Sequence, residues 1–254
     1  MAEFETVRRG GATRTAEVDA GLQAHMSKVY GLMSVAMIVT GVIAYLVGSD
    51  MNAAFAGQET RFLSYGMIET MLSSPVVYVI MFAPLAMVFM FGAAVNRLSQ
   101  AGAQMFFYAF AALMGLSLSS IFVVYTGFSI AQIFFITAIA FSSLSLWGYT
   151  TKKDISGWGS FLIMGVVGIL VASIVNIWLQ SEAIMFAVSI LGVLIFAGLT
   201  AYDTQKIKNG YLQVRTQPNG EAIAAKMAVQ GALHLYLDFL NMFLMMLRLF
   251  GNRS

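Results

Sequence analysis

The stretch Gly231-Ala-Leu-His-Leu-Tyr-Leu-Asp238-Phe-Leu-Asn-Met-Phe-Leu-Met-Met-Leu-Arg-Leu-Phe250 decides the fold. It is twenty residues of almost unbroken apolar sequence with one carboxylate near its middle. About twenty apolar residues are what an α-helix needs to cross a bilayer. A carboxylate at bilayer depth costs roughly 2.5 to 3.5 kcal/mol on insertion scales, so such a residue marks a site before it marks an accident. A second one, Asp203, ends the preceding apolar run in Ala197-Gly-Leu-Thr-Ala-Tyr-Asp-Thr-Gln205.

The rest of the chain has the same character. Hydrophobic residues make up 59% and charged residues 10% of 254, against about 25% charged in a soluble domain. The sequence predicts an all-α integral membrane protein with seven spans, at about 29–48, 76–95, 105–125, 128–147, 161–179, 183–201 and 231–250. Residues 1–27 mix acids and bases without the apolar core of a signal peptide, and read as a soluble tail before a membrane domain at 28–254. Pro84 falls inside the second span, where it can kink the helix. The polar stretch from Lys206 to Gln230 reads as the longest inner loop, with the last helix starting near Glu221.

Orientation follows from Lys and Arg. With the amino terminus in the cytoplasm, eleven of the fourteen fall on inner segments and only Arg61, Arg248 and Arg253 outside. That bias assigns the amino terminus to the inside and both aspartates to the inner half. Asp50, Glu59 and Glu69 then fall on the outer loop, where they could gather cations; solvated loop acids are the plainer reading. The absence of cysteine removes disulfides and thiolate metal sites, and a net charge of +2 gives no reason to expect a nucleic-acid partner.

Two carboxylates on consecutive spans can meet if those helices pack side by side. Facing carboxylates repel when both are ionised, so a meeting pair would share one proton and titrate together. Loss of that proton would leave adjacent negative charges, which favours separation or a captured cation: a pH-sensitive latch. His234 lies one turn before Asp238 and Asn241 one turn after it, on one helix face, where they can tune the latch, as can Tyr202 beside Asp203; a packed histidine and an interhelical amide are the plainer readings. Arg97, just past span two on the same side, can snorkel to lipid phosphates or pair with the aspartates as a plug.

Several motifs carry a resemblance. Tyr202-Asp203-Thr204-Gln205 followed by Ile207, the last span from Gly231 to Phe243, Tyr108 to Phe122 in the third span, and Lys152-Lys153-Asp154-Ile155-Ser156 resemble signatures of the transmembrane Bax inhibitor motif family. The match covers residues 28 to 251. It implies seven helices with the last one central, and a pH-dependent calcium leak in which two aspartates, here Asp203 and Asp238, are the sensor and Arg97 the plug. Calcium would be a permeant ion held weakly and transiently by the two aspartates, with no resident cofactor. The resemblance implies a bacterial member in an inner membrane. The chain departs from some relatives in a hydrophilic insert near 211–221, in lacking a charged carboxyl-terminal tail, and in having no acid in span two.

Three other readings are open at this stage. A non-conducting regulator of a membrane protease or channel would dock through the tail or the 206–230 loop. An intramembrane aspartyl protease would use the same two acids, but Asp238 follows Leu235-Tyr236-Leu237 rather than the Gly-x-Gly of such enzymes. A serine version with Ser117 or Ser119 and His234 lacks the glycine after the serine. The expected protein is therefore not an enzyme, and its partners are protons, calcium ions and the bilayer.

Overall fold

A computed structural model describes the backbone of residues 2–95 and 97–253 and, from Asp19 onward, their side chains apart from that of Ala94. The described residues form α1 (Ala2–Phe55), α2 (Tyr65–Leu72), α3 (Val76–Ala94), α4 (Gln100–Leu118), α5 (Ile121–Val124), α6 (Gly127–Thr150), α7 (Trp158–Leu179), α8 (Glu182–Val214) and α9 (Gly220–Phe250). Seven stretches among them are long and apolar enough to cross a membrane, α4 and α5 together making one. The protein is a multi-pass membrane protein.

Local chemistry sets the helix ends. Ser64, Ser99, Thr126 and Ser181 each accept a backbone N–H from the first turn of the helix they precede. Gln180 takes the left-handed conformation (φ 47°) that ends α7, and the Asn176 side-chain oxygen accepts the Ser181 N–H at 2.9 Å. That closes the tight turn expected between the fifth and sixth spans. The third span differs from its expected single run, since the chain breaks at Ser119 and Ser120 between α4 and α5.

The last helix is central. α9 packs against α1, α4, α6 and α8, and 56% of its most apolar stretch is buried, against 11% for α7. α3 and α7 are peripheral, and their outward Phe, Met and Trp side chains face where lipid would be. α6 reaches α8 closely because Gly148 has no side chain: a Cβ there would lie 2.4 Å from the Ala201 carbonyl oxygen.

Three loop expectations change. Helix α8 runs on to Val214 and α9 begins at Gly220, so the expected inner loop of 206–230 shrinks to residues 215–219; its polar residues are the overhanging ends of two long helices. Within the expected tail of 1–27, residues 19–27 belong to α1, where Leu22 and Met26 are buried in the core; the side chains before Asp19 lie outside the described residues. Asp50 is not a loop acid. It sits in α1 with 2% of its surface exposed and accepts the N–H groups of Arg61, Phe62 and Leu63 at 3.0, 2.7 and 2.6 Å. The carboxylate is shallow, near the edge of the protein, but its own following loop folds over it. That loop leads into α2, which buries Ile68 against Val47 and Met51.

Candidate functional site

α8 and α9 are antiparallel neighbours joined by residues 215–219, and their packing is the most extensive between any two helices described. It brings Asp203 and Asp238 face to face. Their carboxyl groups lie within hydrogen-bonding reach of each other. Asp203 is 9% and Asp238 5% exposed. Two carboxylates can only accept hydrogen bonds, so a bond between the two groups requires a proton on one of them. The other oxygen of Asp238, Oδ2, is buried with no hydrogen-bond partner among the described residues. A buried acceptor without a donor is a place for a proton or a cation.

His234 and Lys206 are the basic side chains that bear on Asp203. Lys206 also stands 5.8 Å from the centre of the Tyr202 ring. His234 is exposed although its helix is central. Beyond it, Leu237, Asn241 and Leu244 are partly exposed and Arg248 is exposed. These five residues are spaced three and four apart, so they form one face of α9. This face of the central helix is partly exposed from beside Asp238 toward Arg248. Asn241 spends its amide on its own helix, donating to the Leu237 carbonyl at 2.8 Å.

Other expected site residues lie apart. The Tyr202 ring packs on Gly159 of α7, where a Cβ would come within 2.7 Å of it. Arg97 is exposed in the turn between α3 and α4, and it is not among the groups that bear on either aspartate. Its helix is peripheral and packs on α2 and α4.

Hydroxyl relays surround the pair. The Thr204 hydroxyl donates to the Thr200 carbonyl at 2.7 Å, so it accepts from Ser145 at 2.8 Å, and Ser145 accepts in turn from Tyr30 at 2.6 Å. One directed chain ties α1 through α6 to α8, beside Asp203. By the same logic Thr40 donates to the Ala111 carbonyl at 2.8 Å and accepts from Tyr236 at 2.6 Å. Phe107 and Phe110 meet the Tyr236 ring edge-on, at centroid distances of 5.6 and 5.8 Å. Gln205 holds the connection before α7, accepting the Ile155 N–H at 2.9 Å and donating to the Lys153 carbonyl at 2.8 Å. Thr204 and Gln205 stood inside the aspartate motif already quoted; Tyr30 and Ser145, 115 residues apart, carried no sequence signal.

Among the described residues no three His, Asp or Glu side chains are placed so that they could hold a metal ion together. Two carboxylates fall short of the six to eight oxygens of a tight calcium site.

Comparison with known proteins agrees with this architecture. The family described as "Inhibitor of apoptosis-promoting Bax1" matches residues 22–254. The chain is 45% identical to inner membrane protein YbhL of Escherichia coli K12 over 92% of this chain and 94% of that one. It is 42% identical to an uncharacterized protein of Caulobacter vibrioides, over 92% and 90% of the two chains. A Rickettsia prowazekii protein, also named uncharacterized, is 38% identical over 92% of each.

Proposed function

The chain belongs to the Bax inhibitor family, and on that premise we propose that it is a pH-sensitive cation leak of a bacterial inner membrane, with calcium as its permeant ion. The meeting of Asp203 and Asp238 in the bundle interior carries the reading. With a proton between them the two carboxyls join α8 to α9. Without it they repel, and the unpartnered Asp238 oxygen turns to a cation. Weak, transient holding is what conduction asks of such a site. The inner-membrane assignment follows the name of the Escherichia coli relative, and the charge bias puts the aspartates on the cytoplasmic side.

A facing carboxylate pair is also the geometry of an aspartyl protease. Leu235 and Tyr236, which precede Asp238, are completely buried, so an extended substrate has no room beside that carboxylate. The leak reading is favoured on that ground.

The test is calcium entry into proteoliposomes at pH values from about 5 to 9, for the wild type and for Asp203→Asn with Asp238→Asn. The wild type is expected to change its rate across this range and the double variant to give a flat profile. Equal, pH-dependent entry in both would sink the proposal.

A further inference from the structure

Helices α1 and α6 scarcely touch. Between them runs a furrow of two adjoining hollows, of about 840 and 960 Å³, which share Tyr30, Phe141 and Ser142. The larger one is apolar, with Met33, Met37 and Ile38 on one wall, Phe134 and Ala138 on the other, and Phe239 of α9 as floor. It follows α1 from Tyr30 to Tyr45, roughly 22 Å of helix at 1.5 Å per residue. One leaflet of a hydrocarbon core is about 15 Å deep. The smaller hollow is the more polar of the two and carries Asp19, Gln23 and Ser27 of α1 opposite Ser145 and Tyr149 of α6.

The furrow lies between membrane-spanning helices, so its surroundings at that depth are lipid tails or another helix. The Tyr30–Ser145 hydrogen bond, 2.6 Å long, spans it where the hollows meet. A rigid helix 10 Å or so across cannot seat over that bridge, whereas a flexible chain bends past it. Asp19 is the one charged residue among the described residues that line the smaller hollow, and it supplies an anion at its edge.

We propose that the furrow between α1 and α6 binds one zwitterionic phospholipid with an amine-bearing headgroup. An acyl chain lies in the apolar hollow, and the headgroup ammonium meets Asp19. This site is separate from the aspartate pair and does not depend on conduction.

Native mass spectrometry of the full-length protein, delipidated and then offered equimolar phosphatidylethanolamine and phosphatidylglycerol, tests it. One retained lipid is expected, with phosphatidylethanolamine favoured about fivefold, the ratio that a net contribution of about 1 kcal/mol supplies. Asp19→Asn is expected to erase the preference and keep the retention. Gly41 lines the apolar hollow, and a Cβ there meets nothing within 4 Å, so Gly41→Phe has space to fill and is expected to abolish retention of both lipids. Ala131→Phe fills the same hollow from its exposed opposite wall and serves if the first variant fails to fold. Equal retention of the two lipids by the wild type, undiminished retention in the filled variants, or a dimer that the filled variants lose would each overturn the proposal.

Discussion

Two buried acidic sites stand at opposite ends of this bundle, and they are built on opposite terms. Asp50 is surrounded by donors: three consecutive backbone N–H groups point at its carboxylate. Asp238 is surrounded by apolar side chains and another acid, and one of its oxygens meets no donor among the described residues. The first arrangement satisfies a charge and fixes a loop. The second leaves a charge unsatisfied and fixes nothing until a proton or cation arrives. Burial alone therefore says little about what an acidic residue does; the donors around it decide.

The largest effect should come from separating the two by function. Replacing both Asp203 and Asp238 by Asn keeps the hydrogen bond and removes the charge. Calcium entry is expected to lose its pH dependence altogether, while thermal unfolding in detergent shifts little or upward, since no paired charge is lost. More cation should be held by the wild type at about pH 9 than at about pH 5, because the ionised pair attracts cations and the protonated pair does not. A double variant that melts well below the wild type yet leaks normally would make the pair a staple like Asp50 and break the contrast.

Asp50→Ala is the reciprocal experiment. It strips an acceptor from three N–H groups, at about 1 kcal/mol each near an edge where water can replace part of the loss, so about 3 kcal/mol of destabilisation is expected. Asp50→Asn retains an acceptor oxygen and should lose less. The flux profile per folded molecule should keep its shape in both, as read by unfolding and vesicle assays side by side. Gln205→Ala sharpens the same point at a smaller scale. It removes one donor and one acceptor from the connection before α7, for which about 1 to 2 kcal/mol is expected in denaturant unfolding.

Much of this was legible because apolar length and isolated acids are strong local signals. The seven spans, the tight turn at Gln180 and Ser181, and the pair Asp203 and Asp238 could be named from consecutive residues. What could not be named is what long-range packing decides. The acid at position 50 reads as a loop residue until the chain eleven to thirteen residues later folds back with its N–H groups aligned. The polar run after Lys206 reads as a loop because helices that overhang a membrane are polar by necessity. The relay from Tyr30 through Ser145 to Thr204 joins three helices by single hydroxyls, residues common in any span. Depth and the family resemblance both point Arg97 toward the aspartates; neither says which neighbours an exposed side chain in the turn between α3 and α4 meets.

Asp154 supplies the smallest effect and the cleanest control on pH. It is fully exposed, outside the spans, and the Ser156 hydroxyl and then the Ser156 N–H, at 2.9 Å, hold its carboxyl below the usual carboxylate range. A carboxyl lowered by folding adds stability above its unfolded value of about 4 and gives it up as the pH falls through the folded value. All of its titration thus lies below about pH 4, outside the window in which the leak is assayed. Asp154→Asn is expected to leave the flux profile from about pH 5 to 9 superimposable on the wild type, with at most a slight loss of melting temperature at neutral pH that disappears in acid. A displaced flux profile in this variant would mean that an ordinary surface carboxylate can set the pH response, and the buried pair would lose its claim to be the sensor.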